Sequence, residues 1–190
     1  MIMTKHILVA LVEDKPGVLN RVSSLLRRRN FNIDSIAVGK SAQPDLTRMT
    51  LVVDGDNAKV DQVRKQLDKL IEIVKIVDIT EEHLVARELA LLKVKATPAT
   101  RSEIIQIVNV FRANIVDVSA DFLMVEVTGD ENKINSLLDL LRTFGISEIA
   151  RTGRIALTRG SAIPLLAEDT KEPKQRRRTS RKEAETPADW

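Results

Sequence analysis

The sequence predicts an α+β protein in which the order strand, helix, strand, strand, helix, strand occurs twice. Three observations carry this prediction: apolar runs bounded by turn residues, two amphipathic helical stripes in each half, and a repeat length of roughly 80 residues. This order is that of the ferredoxin-like βαββαβ domain, which packs two helices on one face of a four-stranded antiparallel sheet.

The first half opens with an apolar run, residues 7–12, which predicts a strand covered on both faces. Pro16 and Gly17 follow and predict a helix over residues 16–29, because the fixed φ of proline suits the first helical turn. Later turns fall at Pro44 and at residues 54–57, the second of which also supplies a helix cap. The remaining strands are predicted at 31–40, 47–53 and 73–79, with a helix striped by Val60, Val63, Leu67 and Leu70.

The second half repeats this order more faintly. Thr100 is followed three residues later by Glu103, a spacing that predicts a capping box at the start of the first helix. Gly129 and Asp130 predict the start of the second helix. The strands are predicted at 88–95, 114–119, 122–128 and 146–157, the last interrupted by Gly153.

The turn between the first strand and the first helix is the candidate binding site. The backbone N–H groups of Gly17, Val18 and Leu19 have no partner inside the helix, and they favour an anion. Asp14 beside them can receive an ammonium group, so the turn suits an amino acid. The corresponding turn of the second half, residues 97–101, has no glycine, which places the ligand in the first half. An ordinary strand-to-helix turn remains the alternative.

The net charge of +3 is located in the last residues. Residues 171–190 contain seven Lys and Arg and four Asp and Glu, so the rest of the chain is balanced. We therefore predict a disordered basic C-terminal tail over residues 163–190. Residues 176–178 are three arginines that could contact nucleic acid or an acidic partner, although a solvated tail is the favoured interpretation.

The composition argues against several classes of protein. Without cysteine the chain has no disulfide or thiolate site, and no apolar run approaches the length of a membrane span. His6 and His83 are the only imidazoles, and neither has neighbouring metal ligands. With no catalytic motif in the sequence, we expect a cytoplasmic protein with no catalytic residue, metal site or cofactor of its own.

Several segments carry a resemblance to a known family. The runs ILVALVEDKPGVLNRV (7–22), RRNFNIDSIAV (28–38) and LTRMTLVV (46–53) resemble an ACT domain. The segments FRANIVDVS (111–119) and ARTGRIALTRG (150–160) narrow the likeness to the regulatory, or small, subunit of acetolactate synthase, also called acetohydroxyacid synthase.

The resemblance implies a non-catalytic subunit that binds and activates the catalytic large subunit. That partner would carry thiamine diphosphate, Mg²⁺ and FAD. The resemblance also implies feedback inhibition by a branched-chain amino acid, usually valine, in valine, leucine and isoleucine biosynthesis. It further implies a homodimer, which the apolar faces of the strands predict independently.

The resemblance assigns roles to three parts of the chain. Residues 4–80 would form the ACT domain for effector binding and dimerisation, residues 85–160 would contact and activate the large subunit, and residues 163–190 would form the tail. In the family the effector lies between two ACT domains. The matching effector-binding positions here are Asp14, Gly17, Val18, Leu19, Asn32 and Ile33.

Two other functions remain open at this point. RNA-recognition modules share the βαββαβ order, but they stack bases on aromatic residues of the sheet. The strands here offer little besides Phe31 and Phe122, so we expect no nucleic-acid partner. A free-standing ACT sensor without an enzyme partner is the closer alternative.

Overall fold

A computed structural model describes residues 4–160, which form two antiparallel sheets with two α-helices each. The predicted tail, residues 163–190, lies outside the described residues. The elements of the first half are β1 (Thr4–Glu13), α1 (Val18–Arg28), β2 (Ile33–Lys40), β3 (Leu46–Gly55), α2 (Asn57–Leu67) and β4 (Ile73–Asp78).

The first sheet has the strand order β2-β3-β1-β4, which is the order of a ferredoxin-like domain. Its alternating side chains send Leu8, Ala10 and Val12 of β1 toward the two helices, where they meet the apolar stripes of α1 and α2. Val22 and Leu26 of α1 are fully enclosed in this first core. Asp56 caps α2 by accepting a hydrogen bond from the Lys59 N–H at 2.8 Å, as the turn residues predict.

The second sheet repeats the arrangement, with the order β6-β7-β5-β8. Its core is aliphatic and separate from the first. The prediction of two tandem βαββαβ domains is therefore confirmed. The elements are β5 (Leu84–Lys95), α3 (Arg101–Val110), β6 (Asn114–Val118), β7 (Phe122–Gly129), α4 (Glu131–Leu141), a 3₁₀ turn (Arg142–Phe144), β8 (Ile146–Arg151) and β9 (Ile155–Thr158).

Two predicted helix starts are wrong in detail. Helix α1 begins at Val18, so Pro16 and Gly17 precede it instead of forming its first turn. The capping box at Thr100 does not form, because the Thr100 hydroxyl accepts a hydrogen bond from the Thr97 N–H at 3.0 Å and gives α3 no side-chain cap. In the first place, Pro16 and Gly17 belong to the turn before the helix. In the second, the Thr100 hydroxyl bonds within the turn instead of capping the helix.

The predicted strand at 88–95 begins four residues earlier, at Leu84, because the start of β5 pairs with β9. These two strands form a ribbon, residues 84–87 and 155–158, that leaves the second sheet and lies on the helix-free face of the first. Ala156 is buried there in a third core. Its other buried members are Ile7, Val9, Val52 and Ile79, with Leu84, Ala86 and Val77 packed against them.

The ribbon changes the argument for a homodimer. The apolar second face of β1 predicted a second chain, but Ile7 and Val9 are covered within this chain by residues of the ribbon. That part of the argument is wrong, because a strand from a distant part of the sequence supplies the cover. A homodimer would then have to depend on other surfaces.

A fragment ending near Thr80 should consequently be less stable than the same residues in the full chain. Removing the ribbon exposes the third core, and each fully buried aliphatic side chain contributes about 1.5–3 kcal/mol. We expect the fragment to unfold at lower urea concentration than the full chain, as followed by circular dichroism. A fragment as stable as the full chain would show that the ribbon adds little.

Candidate functional site

The turn at Gly17 has a backbone conformation that explains its glycine. Gly17 has φ 88° and ψ −7°, in the left-handed region where a side chain is disfavoured. A Cβ built at Gly17 would meet no atom within 4 Å, so the space beside the turn is open. The sequence analysis singled out this glycine because a ligand could approach its backbone closely. The structure gives a different reason for the glycine, its positive φ.

The chain on either side holds the turn in place. The Asp14 N–H donates to the Asp45 carbonyl at 2.8 Å, and the Lys15 N–H donates to the Glu13 carbonyl at 2.9 Å. Lys15 also pairs with the Glu13 carboxylate, with 2.8 Å between Nζ and Oε2. Among residues 4–160, no side chain caps the N-terminus of α1. The Val18 N–H already donates to the Lys15 carbonyl at 3.5 Å, so an external carboxylate would be bound by the other N–H groups of the first turn. The exposed Asp14 carboxylate lies nearby in the chain.

Val18 and Leu19 have different roles in this arrangement. Val18 is buried in the first core, so only its backbone can face a ligand. Leu19 is 49% exposed, although it is large and apolar. Leu19 is therefore the side chain at this turn that can contact an aliphatic ligand.

Asn32 and Ile33 lie at the opposite end of the first domain. Glu13, just before the turn, pairs with Leu46, whereas Ile33 pairs with Val53 near the far end of β3. Helix α1 spans this distance, which for 11 residues is about 16 Å. The six predicted effector residues thus form two separate groups within one chain: Asp14, Gly17, Val18 and Leu19 in one, and Asn32 and Ile33 in the other.

The second group adjoins a cluster of charges between the domains, which we call the inter-domain charge cluster: Lys5, Asp34, Glu131 and Arg154. Lys5 Nζ lies 3.2 Å from Asp34 Oδ2 and 2.7 Å from Glu131 Oε1. Arg154 pairs with the same Glu131 carboxylate. These contacts connect the start of β2 to the start of α4 in the other domain.

Proton affinities in the cluster reflect this pairing. The hydrogen bond from Lys5 holds the pKa of Glu131 below its ordinary value, and Arg154 lowers it further. The same hydrogen bond raises the pKa of Lys5, burial opposes this rise, and the hydrogen bond to Asp34 adds to it. Both groups are charged near neutral pH, so the cluster is ionic there.

Further contacts between the domains surround a cleft of about 540 Å³ beside Ile33. Gly153, with φ 79°, approaches the Ile36 carbonyl so closely that a Cβ would lie 3.2 Å from the oxygen. Arg48 Nη2 donates to the Ala156 carbonyl at 2.8 Å, and burial lowers the pKa of Arg48. The second domain therefore contacts β2 and β3 directly.

Comparison with known proteins agrees with both halves of the fold. A family profile described as an AHAS small subunit-like ACT domain matches residues 8–75, and one described as the small subunit of acetolactate synthase matches residues 87–160. A probable acetolactate synthase small subunit from Archaeoglobus fulgidus is 55% identical over 157 residues, covering 83% of this chain and 98% of that protein. The chain belongs to the acetolactate synthase small-subunit family.

Other members of this small-subunit family give the same result. The acetolactate synthase small subunit of Mycobacterium bovis is 52% identical over 155 residues, covering 82% of this chain and 92% of that protein. The crystal structure of the small subunit from Thermotoga maritima superposes with a TM-score of 0.76 at 41% identity, covering 83% of this chain and 98% of that one. Small subunits of this family are regulatory, so the regulatory part of the sequence prediction is confirmed.

The nucleic-acid alternative finds little support in the sheets of this small-subunit fold. Phe31 packs against the first core, and its ring lies so near Gly55 that a Cβ built there would be 3.2 Å from the Phe31 Cε1 atom. Phe122 is half-buried at the start of β7, with Lys93 Nζ 5.2 Å from its ring centroid. A pair of stacking aromatics on one open face is thus missing from residues 4–160.

The described residues also lack two other kinds of site. Within residues 4–160, there is no group of three His, Asp or Glu side chains placed to hold a metal ion. No helix in this same region combines the length and the apolar character that crossing a membrane requires.

Sequence analysis missed the inter-domain charge cluster. Lys5 and Glu131 are 126 positions apart, and neither belongs to a recognisable motif. The one local signal was the segment RTGR at 151–154, which the resemblance included without a role. Arg151 of this segment forms a bidentate pair with the buried Glu88, at 2.7 and 2.6 Å, and Glu88 raises the pKa of Arg151.

Proposed function

We propose that this chain binds the catalytic large subunit of acetolactate synthase, raises its activity and makes it sensitive to a branched-chain amino acid, most readily valine. The observation that carries the proposal is family membership across both domains, residues 8–75 and 87–160. A small subunit that lacks catalytic motifs contributes through binding and regulation.

The effector site would be assembled from two copies of the chain. The turn at Gly17 would hold the effector carboxylate on the first N–H groups of α1, with Asp14 accepting from the ammonium group. Asn32 of a second copy would face the same effector, since its amide has both a donor and an acceptor. The separation of these residues within one chain supports a two-chain site.

The aliphatic side chain of the effector would contact apolar residues at the same place. Leu19 is exposed beside the turn, and Ile33 adjoins Asn32. Full burial of a valine side chain contributes about 1.5–3 kcal/mol, which favours a branched-chain amino acid over a small polar one.

The two domains would have different functions. Residues 4–80 would bind effector and dimerise, and residues 85–160 would contact and activate the large subunit. The turn at residues 97–101 lacks glycine and its Thr100 hydroxyl is engaged by Thr97, which supports a different role for the second domain. Thiamine diphosphate, Mg²⁺ and FAD would be bound by the catalytic subunit, and this chain would hold no cofactor.

Inhibition requires only that the effector prefer the less active arrangement of the complex. A coupling free energy of about 1–3 kcal/mol between effector site and catalytic subunit is typical of allosteric proteins. The inter-domain charge cluster supports such coupling, because it joins the start of β2 to the second domain.

The deciding experiment is reconstitution with the catalytic large subunit of the same organism. We expect this chain to co-purify with that subunit, to raise the rate of acetolactate formation, and to make that rate fall during a valine titration. Binding of valine without capture of the large subunit would instead indicate a free-standing sensor. Failure of both would refute the proposal.

A further inference from the structure

An apolar groove of about 390 Å³ lies between strand β2 and the ribbon. Three large apolar side chains that line it are exposed: Val38 at 49%, Ile155 at 60% and Leu157 at 62%. The core of the chain does not need the two on the ribbon, because Ala156 between them is the residue that points inward. Apolar side chains exposed together indicate a surface that another segment covers.

The groove is also cationic. Lys40, Arg48 and Arg87 line it, and no Asp or Glu of the described residues does. Arg48 Nη2 donates to the Ala156 carbonyl at 2.8 Å, and Arg87 Nη1 donates to the Ala86 carbonyl at 2.7 Å. Within residues 4–160, these two guanidinium groups are thus held by backbone oxygens and not by carboxylates. Arg48 is half-buried, where a charge without an anion is costly. The groove therefore suits an occupant that is apolar and carries carboxylates.

The sequence that follows the ribbon has this chemistry. Strand β9 ends at Thr158, and residues 163–169 read IPLLAED, three large aliphatic residues followed closely by two acidic ones. The segment carries a charge of −2, whereas residues 171–190 carry +3. The family profile that matches the second domain ends at residue 160, so this segment lies beyond the part of the chain that the profile describes.

The segment is near enough along the chain to reach the groove. Ile163 follows Leu157, a residue of the groove, by only six positions. An extended chain advances about 3.3 Å per residue, so residues 160–169 can span about 30 Å, more than twice the length of the four-residue strand β9. Attachment at the end of the ribbon also gives the segment a high effective concentration at the groove of its own chain.

We propose that residues 163–169 bind in this groove of their own chain. The aliphatic side chains contact Ile155 and Leu157, and the two carboxylates lie near Arg48 and Arg87. The contact covers the exposed apolar surface and supplies the half-buried guanidinium of Arg48 with an anion. It goes beyond the proposed function, and it separates the start of the predicted tail from the basic part that follows.

The test measures the reactivity of a single cysteine in the full chain, whose natural sequence contains none. The thiol of Ala167→Cys should react with uncharged N-ethylmaleimide at least tenfold more slowly than an exposed thiol, because the bound segment is covered. Ala184→Cys is the matched control, since Glu183 and Glu185 give it acidic neighbours, as Glu168 and Asp169 do for position 167. Mass spectrometry measures the modified fraction over time.

A second pair of variants connects the protection to the groove. Leu157→Glu, added to Ala167→Cys, should raise the reaction rate to that of Ala184→Cys. The new carboxylate removes an apolar contact and repels the carboxylates of the segment. Val110→Glu is the control, since Val110 is 80% exposed on α3, outside the groove, and it should leave the protection unchanged.

Equal rates for Ala167→Cys and Ala184→Cys would overturn the proposal, and so would protection that survives Leu157→Glu. Protection that increases with protein concentration would overturn it as well, because binding within one chain is independent of concentration. The rates are measured without amino acid and without the catalytic subunit. A failure here is therefore distinguishable from a failure of the proposed regulatory function.

Discussion

Gly17→Asp should make the reconstituted enzyme resistant to valine while the variant still folds and still activates the catalytic subunit. The added carboxylate would stand where the effector carboxylate is expected, at the N-terminus of α1, which has no side-chain cap. Like charges at that position repel, so we expect the valine concentration for half-inhibition to rise more than tenfold, which corresponds to about 1.4 kcal/mol.

The structure offers a matched control for this substitution. Gly160 also has a left-handed backbone, with φ 68°, and its Cβ would likewise meet nothing within 4 Å. Aspartate costs a similar amount of strain at both positions, on the order of 1 kcal/mol, so Gly160→Asp measures the effect of strain alone. Valine inhibition of Gly160→Asp should match that of the parent chain.

Acetolactate formation across a valine titration measures both variants. If Gly17→Asp is inhibited like the parent chain, the effector does not bind at this turn. Asn32→Ala should give a weaker resistance of the same kind, because it leaves polar groups of the effector without partners.

Local sequence patterns predicted most of the fold because they report on neighbouring residues. The stripe Val60, Val63 and Leu67 predicted α2, and all three side chains are buried. Asp56 predicted the cap of that helix, and the cap forms. A helical stripe and its cap are complete within one segment, so no knowledge of distant residues is needed.

Local sequence patterns could not predict contacts between segments that are far apart in the sequence. Residues 84–87 became part of β5 only because β9, about 70 residues later, pairs with them. The six candidate effector residues were predicted from the sequence one by one. Their separation into two groups followed from strand pairing, which spacing alone does not fix. The inter-domain charge cluster joins Lys5 to Glu131 without any periodic signal.

The pH range over which this cluster holds the domains together follows from the two shifted pKa values. The pKa of Glu131 is lowered in the folded chain, so its contribution is present above its ordinary pKa of 4.5 and is lost as pH falls through the lower, folded-state pKa. The pKa of Lys5 is raised, so its contribution is present below 10.5 and is lost as pH rises through the higher, folded-state pKa. We therefore expect the ion pairs of the inter-domain charge cluster to persist throughout the neutral pH range.

Glu131→Gln should weaken valine inhibition in the reconstituted enzyme without weakening valine binding. Glutamine keeps the size of the side chain but removes the charge that pairs with Lys5 and Arg154. Lys5 would then pair only with Asp34, which is next to Ile33. A displacement at the start of β2 would therefore be transmitted to α4 less effectively. We expect a loss of coupling of about 1 kcal/mol, a factor of about five in the response to valine.

Asp61→Asn is the matched control for this prediction. Asp61 also pairs with two cations, Arg64 and Lys65, but both lie in the same helix and do not join the domains. Valine binding is measured by calorimetry and inhibition by acetolactate formation, so affinity and coupling are separated. If Glu131→Gln and Asp61→Asn leave inhibition equally intact, the signal does not pass through the inter-domain charge cluster. If Glu131→Gln lowers binding as much as inhibition, the cluster shapes the effector site instead of transmitting its occupancy.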